Sequence, residues 1–198
     1  MSDEIEFVFS FRSPFAWIAA RHTLPMVHPD IPIRWTPFLP LPSFPNFGGT
    51  MIPAKVRHNL QDILRLNRAY DLHIGRPPVD EFNWEMAHTA FWWADRAGKG
   101  AEFALALRDE RWVKGEFIPE EPAIRRVAES LGLDGDEAAA AANDTGNRTT
   151  LIDLVQSNFD ERDIFGVPMF ILPSGEYFWG HDRMEWAIRH EFVKAAEN

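Results

Sequence analysis

The stretch that decides the fold is IEFVFSFRSPFAWI, residues 5–18. Its first part, residues 5–10, is a short apolar run rich in Phe and Val, which predicts a buried strand. Ser13-Pro14 then joins a favoured helix N-cap to the residue favoured at the first helical position, so a helix should begin there. Residues 33–38 predict a second strand. A strand, a crossover helix and another strand form a βαβ unit, so the two strands should be parallel.

The C-terminal part of the chain predicts a hairpin followed by a helix. Residues 169–172 and 176–179 are short apolar runs, and the turn sequence Pro173-Ser174-Gly175 separates them. The last helix is expected over residues 183–196, with Asp182 as its cap. The two ends of the chain together therefore predict a four-stranded α/β unit.

The middle of the chain is a loop followed by helices. Residues 37–53 contain five prolines and Gly48-Gly49, which exclude a regular helix or a central strand. Ordered loops of this length are uncommon and often functional. Helical spacing follows from Pro53 to residue 70, and residues 83–162 look wholly helical. The expected helices in that segment are one capped by Asn83 and others at 101–112, 120–131, 134–142 and 149–159.

Composition narrows the classes of partner and chemistry. The chain has 198 residues, of which 45% are hydrophobic, and 30 acidic against 20 basic residues give a net charge of −10. This charge argues against nucleic acid and anionic lipid as partners. The absence of cysteine excludes disulfides, iron–sulfur clusters and chemistry by a protein thiol. Seven histidines show no spacing typical of a metal site, so no metal is expected. The acidic N-terminus and the lack of a long apolar run predict a cytoplasmic protein that does not contact membranes.

Two positions could carry chemistry, and each has a structural alternative. Ser13 is an ordinary N-cap, or else its hydroxyl also donates a hydrogen bond to a thiolate that a small molecule brings, since the protein has no thiol of its own. Val167-Pro168 is an ordinary strand start, or else a cis bond that presents the Val167 N–H and C=O to an extended ligand. Local sequence leaves both pairs of alternatives open.

Four segments of the chain, taken in order, resemble a known family. They are FSFRSPF at residues 9–15, IPAK at 52–55, FGVP at 165–168 and FWGHDR at 178–183. The chain thereby resembles the kappa-class glutathione transferases and 2-hydroxychromene-2-carboxylate isomerases, which are related to the DsbA oxidoreductases. The resemblance covers almost the whole chain and implies an α/β, thioredoxin-like fold with an inserted all-helical domain. Residues 1–75 and 163–198 would form the thioredoxin-like domain, and residues 76–162 the helical insertion.

The resemblance also implies roles for particular residues. Ser13 would face the sulfur of glutathione and act in catalysis, and Phe15 and Trp179 would contact the substrate. The residues expected to bind the cofactor are Asn46, Lys55, Val167, Pro168, His181 and Asp182, and the bond before Pro168 is expected to be cis. The chain departs from the family pattern in three places: Gly48-Gly49 replaces a Pro-Pro pair in the loop after Asn46, His181 replaces Ser or Gln, and residues 37–42 are rich in proline where the family usually has a glycine-containing segment.

The implied activity is that of a thiol-dependent isomerase. Glutathione or another low-molecular-weight thiol would add reversibly to a small unsaturated or aromatic acid, as in 2-hydroxychromene-2-carboxylate isomerase. Two alternatives remain open: a kappa-class-like glutathione transferase that conjugates a small electrophile, and a non-catalytic ligand-binding protein of the same fold. The resemblance further implies a small-molecule substrate and a homodimer.

Overall fold

The structure, a computed structural model, describes residues 4–44, 52–76, 84–190 and 192–196. One mixed sheet has the strand order β2-β1-β3-β4. The strands are β1 (Ile5–Phe9), β2 (Ile33–Pro37), β3 (Met169–Ile171) and β4 (Tyr177–Trp179). β1 pairs parallel with β2 and antiparallel with β3, and β3 pairs antiparallel with β4. The predicted βαβ unit and hairpin are therefore confirmed.

Helices connect and cover this sheet. They are α1 (Pro14–Ile18), α2 (Pro53–Ala69), α3 (Trp84–Arg96), α4 (Gly100–Trp112), α5 (Glu121–Ser130), α6 (Gly135–Asn143), α7 (Thr145–Arg162) and α8 (His181–Arg189). A π-helical turn, Ala19–Thr23, and a 3-10 turn, Leu24–Met26, continue α1 towards β2. Within the described ranges, no helix is long and apolar enough to span a bilayer.

The bounds of two helices, α7 and α8, differ from the predictions by more than one residue. α8 begins two residues early and ends at Arg189, and Gly180 rather than Asp182 occupies its N-cap. Gly180 has φ +112°, which lets the chain turn into α8 directly after β4. α7 begins at Thr145 instead of 149, because the side chain of Asp144 accepts a hydrogen bond from the Asn147 N–H at 2.7 Å. The expected cap Asn83 lies outside the described residues.

The main core joins the sheet to the helical segment. The ring of Phe9 on β1 lies 4.9 Å from that of Phe91 on α3, and 5.3 Å from that of Trp35 on β2. Phe7 stacks on Phe170 of β3 at 5.1 Å. All five side chains belong to one buried cluster that also contains residues of α4, α5 and α6. The helices between the two halves of the sheet therefore share its core.

A buried ion cluster lies on β1. Glu6 is 3% exposed and accepts hydrogen bonds from Thr36 at 2.6 Å and Arg34 at 2.8 Å. Both terminal nitrogens of Arg162, at the end of α7, also donate to this carboxylate. Burial alone would raise the pKa of Glu6, but the hydrogen bonds from Arg162 and Thr36 and the charges of Arg162 and Arg34 lower it. The cluster ties α7 to β1 and β2.

Candidate functional site

The register of the sheet brings three segments to one edge. Val8 pairs with Met169 in antiparallel fashion, so the end of β1 and the start of β3 lie together. Met169 also pairs with Trp179 at the end of β4. The Gly180 N–H donates to the Pro168 carbonyl at 2.9 Å. The site edge is defined as residues 10–13, 167–168 and 179–182.

Ser13 is the N-cap of α1. Its backbone is extended, with φ −88° and ψ 116°, and its Oγ accepts a hydrogen bond from the Ala16 N–H at 3.1 Å. The Ser13 N–H in turn donates to the Ser10 carbonyl at 3.2 Å. The predicted cap is thus confirmed. A hydroxyl that accepts a hydrogen bond still has its own hydrogen to donate, so the cap leaves Ser13 able to bind an anion.

Val167 and Pro168 form the middle of the site edge. The bond between them is cis, as predicted. Pro168 is buried and its carbonyl is bonded to Gly180, whereas the N–H and C=O of half-buried Val167 have no hydrogen-bond partner among the described residues. An extended ligand could pair with these two groups as an added strand does.

His181 packs inward at the start of α8. It is 8% exposed, and its ring lies 6.4 Å from that of Phe15 and 6.0 Å from that of Tyr70. Its Nε2 is buried without a hydrogen-bond partner in the described part of the chain. Burial lowers the pKa of His181, although the charges of Asp182 and Glu185 oppose this shift. His181 is therefore neutral at neutral pH, and its ring covers Phe15.

A polar cluster behind Phe15 and His181 has no signal in the sequence. Tyr70, at the end of α2, stacks on His22 with ring centroids 3.5 Å apart. Its hydroxyl donates to Glu185 of α8 at 3.2 Å. Burial and the neighbouring Glu185 raise the pKa of Tyr70. These residues come from three separate elements, so no local motif could have indicated them.

Exposed side chains form the outer part of the site edge. Trp179 is 58% exposed, and its ring contacts that of Phe165 at a centroid distance of 5.0 Å. A Cβ at Gly166 would lie 3.1 Å from the indole Nε1, so the glycine lets the indole approach the backbone. Asp182 is exposed, with its carboxylate 3.9 Å from the ring of His181.

Of the two remaining predicted residues, Lys55 is described by the structure and Asn46 is not. Lys55 is exposed in the first turn of α2. Leu66 of the same helix packs with Trp17 of α1, and it lies about 16 Å along the axis from Lys55. Asn46 lies outside the described residues.

The comparisons agree with this architecture. The DSBA-like thioredoxin domain family matches residues 4–188. The chain belongs to this family. The thioredoxin-like fold and the predicted relationship are thereby confirmed, while the domain boundaries at 75 and 163 stay a prediction.

Solved structures share the DsbA-like fold at low sequence identity. A 2-hydroxychromene-2-carboxylate isomerase superposes with a TM-score of 0.80 at 19% identity, over 94% of this chain and 93% of the other. The structure of a probable DsbA oxidoreductase from Streptomyces coelicolor superposes with a TM-score of 0.71 at 16% identity, over 96% of this chain and 89% of the other. The cytosolic disulfide reductase DsbM from Pseudomonas aeruginosa, in a structure with GSH, superposes with a TM-score of 0.66 at 17% identity, over 96% of this chain and 98% of the other. No curated protein matches the chain by sequence.

In this DsbA-like chain, we expect Gly180→Ala to lower the free energy of unfolding by about 2 kcal/mol, because φ +112° is strained for any residue with a Cβ. The new Cβ would also lie 2.6 Å from the Asp182 carboxylate and displace it. Urea unfolding measures the loss. Gly98→Ala is the control, since φ is +72° there with no atom within 4 Å, and it should cost about 1 kcal/mol. Equal costs for the two variants would contradict the proposed clash at Asp182.

Proposed function

We propose that this protein is a thiol-dependent isomerase that uses glutathione or another low-molecular-weight thiol. The observation that carries the proposal is the arrangement of the site edge. The N–H and C=O of Val167, which have no hydrogen-bond partner in the part of the chain that the structure describes, lie on the same edge as the Ser13 hydroxyl, whose hydrogen is available to a ligand. A peptide-like thiol that pairs with Val167 would bring its sulfur towards Ser13.

The reaction needs no protein thiol and no net oxidation. The cofactor thiolate adds to a conjugated double bond of a small unsaturated or aromatic acid, which forms a C–S bond and moves an electron pair onto the conjugated acceptor. Rotation follows about the new single bond. The electron pair then re-forms the double bond, the C–S bond breaks, and the thiolate is released. Ser13 stabilises the thiolate both as nucleophile and as leaving group.

The absence of cysteine favours this choice over disulfide exchange, and two structural relatives support isomerase chemistry and a glutathione site. The chain has no thiol with which to exchange disulfides. One structural relative is a 2-hydroxychromene-2-carboxylate isomerase, and the structure of the reductase DsbM contains GSH. Phe15 of α1 and Trp179 of the site edge would contact the substrate, and Pro168, His181 and Asp182 would support the thiol. Lys55 and Asn46 would complete the thiol site from the segment that follows β2.

We expect glutathione at ten times its dissociation constant to stabilise the protein by about 1.4 kcal/mol, which raises Tm by about 3–6 °C. Thermal unfolding with and without ligand measures this shift. The control ligand is the same tripeptide with alanine in place of cysteine, which keeps the backbone pairing and loses the sulfur. It should bind more weakly, because nothing remains for Ser13 to stabilise.

Turnover then separates the three candidate functions. A thiol present in substoichiometric amounts and recovered unchanged after conversion of an unsaturated acid identifies an isomerase. A thiol consumed in proportion to product identifies a glutathione transferase. Thiol binding without turnover of any electrophile identifies a binding protein. No thermal shift with any low-molecular-weight thiol would exclude the thiol-dependent functions.

The cellular location, the oligomeric state and the partners are proposed from the sequence and the family resemblance. We expect a cytoplasmic homodimer that acts on a small molecule and contacts neither nucleic acid nor membrane. Light scattering of the purified protein measures the oligomeric state, and cell fractionation measures the location.

A further inference from the structure

One peptide group in the turn before α1 is held from both ends by side chains of the helical segment. It is the group between Ser10 and Phe11, directly after β1. Its carbonyl accepts a hydrogen bond from Arg108 Nη2 of α4 at 3.3 Å. Its N–H donates to His88 Nε2 of α3 at 3.3 Å. Both side chains are 0% exposed, so water cannot replace either bond.

His88 is fixed as the acceptor of this pair. Its Nδ1 donates to the Trp84 carbonyl at 2.7 Å, so the proton is on Nδ1 and Nε2 carries the lone pair. The pKa of His88 is lowered to about 4, because burial and the charge of Arg108 outweigh the opposing backbone hydrogen bonds with Trp84 and Phe38. His88 is therefore neutral at physiological pH and accepts from the Phe11 N–H.

Arg108 is a buried cation with few polar contacts. Its guanidinium lies 4.7 Å from the centroid of the Phe9 ring and 5.8 Å from those of Phe7 and Trp35. Its Nε and Nη1 have no hydrogen-bond partner in the described part of the chain. Burying a charge this poorly paired is costly, and an apolar side chain of similar volume would fill the space without that cost. What such a side chain could not supply is the hydrogen bond to Ser10.

The Ser10 carbonyl connects this arrangement to the site edge. It accepts the Ser13 N–H at 3.2 Å in addition to Arg108. The orientation of the Ser10–Phe11 peptide group therefore sets where the Ser13 backbone lies, and with it the hydroxyl. A rotation of this peptide would break three hydrogen bonds together.

We infer that His88 and Arg108 are positioning residues, through which α3 and α4 orient the Ser10–Phe11 peptide group and thereby place the Ser13 hydroxyl. This inference rests on the proposed function in one respect: the proposed function supplies the thiol whose sulfur the Ser13 hydroxyl would stabilise. The turn geometry itself can be measured without any substrate.

Amide hydrogen exchange tests the inference on the full chain. His88→Leu removes the acceptor and Arg108→Met removes the donor, and each should speed exchange of the Phe11 and Ser13 amides by about 10- to 100-fold. His88→Gln keeps an acceptor oxygen and Arg108→Lys keeps a donor, so both should restore most of the protection. The matched control is Thr89→Val, because Thr89 is equally buried on α3 but bonds only to Glu85 of its own helix. It should change exchange of the two amides by less than about twofold.

Activity gives a second measurement that a purely structural role would not move. With glutathione and an electrophile, the leucine and methionine variants should lower kcat by about 10- to 100-fold, because a displaced catalytic group loses its alignment. KM for the thiol should rise by a smaller factor than kcat falls, since Val167 lies on a different segment and still pairs with the backbone of the thiol. The glutamine and lysine variants should recover kcat.

The outcomes are separable. Folded His88→Leu or Arg108→Met protein with wild-type exchange at Phe11 and Ser13 would overturn the inference. If His88→Leu does not fold, Arg108→Met decides, because methionine preserves most of the side-chain stem. A wild-type protein that binds no thiol would remove the proposed function, while selective loss of protection in the two variants would still support the positioning of Ser13.

Discussion

Ser13→Ala is expected to lower kcat for the thiol-dependent reaction by about 100-fold. Removing one charge-stabilising donor from an enclosed site costs about 10²–10³ in rate, and the lower value applies because the backbone N–H groups at the start of α1 remain. The pKa of the bound thiol should rise, since its thiolate loses a hydrogen bond. Steady-state kinetics and a pH titration of thiolate absorbance measure the two effects.

The loss of stability in this variant must be separated from the loss of activity. Ser13 caps α1, so its removal should cost about 0.5–2 kcal/mol, while Pro14 still presets the first turn. Asp144→Ala is the matched control, because Asp144 caps α7 through the same kind of bond to a backbone N–H. It should cost a similar free energy of unfolding and leave kcat unchanged. If Ser13→Ala loses stability but keeps both the thiol pKa and kcat, Ser13 is only a cap.

Arg162→Ala should lower the free energy of unfolding by about 3 kcal/mol. The substitution leaves Glu6, which is 3% exposed, with Arg34 and Thr36 as its remaining partners. Removing one partner from a buried ion pair typically costs about 3–5 kcal/mol, and the surviving bonds place the loss at the lower end. Arg65→Ala is the control, because Arg65 pairs with Asp62 on the exposed face of α2 and should cost less than about 1 kcal/mol. Equal losses in urea unfolding would contradict a buried cluster.

The same cluster predicts how stability changes with pH. The folded-state pKa of Glu6 is lowered, so its contribution is fully present above the unfolded value of 4.5 and is lost as pH falls through the folded pKa. In Arg162→Ala the burial of Glu6 is less well compensated, so its folded-state pKa rises towards the unfolded value and the stability that Glu6 contributes above pH 4.5 becomes smaller. Unfolding measured between pH 3 and 7 should therefore show a smaller loss of stability on acidification for the variant than for the wild type. Parallel pH profiles for the two proteins would contradict this assignment.

The strands and the start of α1 could be predicted because their signals are local. The apolar run before Ser13-Pro14 indicates both a buried strand and a capped helix, and the structure has each within one residue. The cis bond at Pro168 followed from its place before β3 and from the resemblance. The start of α8 could not be read the same way, since a glycine with positive φ replaces the expected side-chain cap.

The residues that hold the turn before Ser13 could not be predicted from local sequence patterns. His88 and Arg108 lie 77 and 98 residues from the peptide group that they hold. On their own helices they look like ordinary polar residues, and only tertiary packing shows that both are buried against the same turn. The cluster of His22, Tyr70 and Glu185 escaped prediction for the same reason. Residues that contact one peptide group from distant positions in the chain follow no periodic pattern in the sequence.

The hydrogen bonds from α3 and α4 to the turn before Ser13 also limit how this protein can be re-engineered. A miniaturised version that deletes the helices between α2 and β3 would keep every strand and Ser13 itself. The turn before Ser13 would nevertheless lose its hydrogen bonds with His88 and Arg108. A chimera that grafts the helical segment of a relative onto this sheet would face the same mismatch unless the graft carries an acceptor and a donor at these two places. The half of the molecule that carries Ser13 is therefore not a transferable module, and recombination points must keep β1, α3 and α4 as one unit.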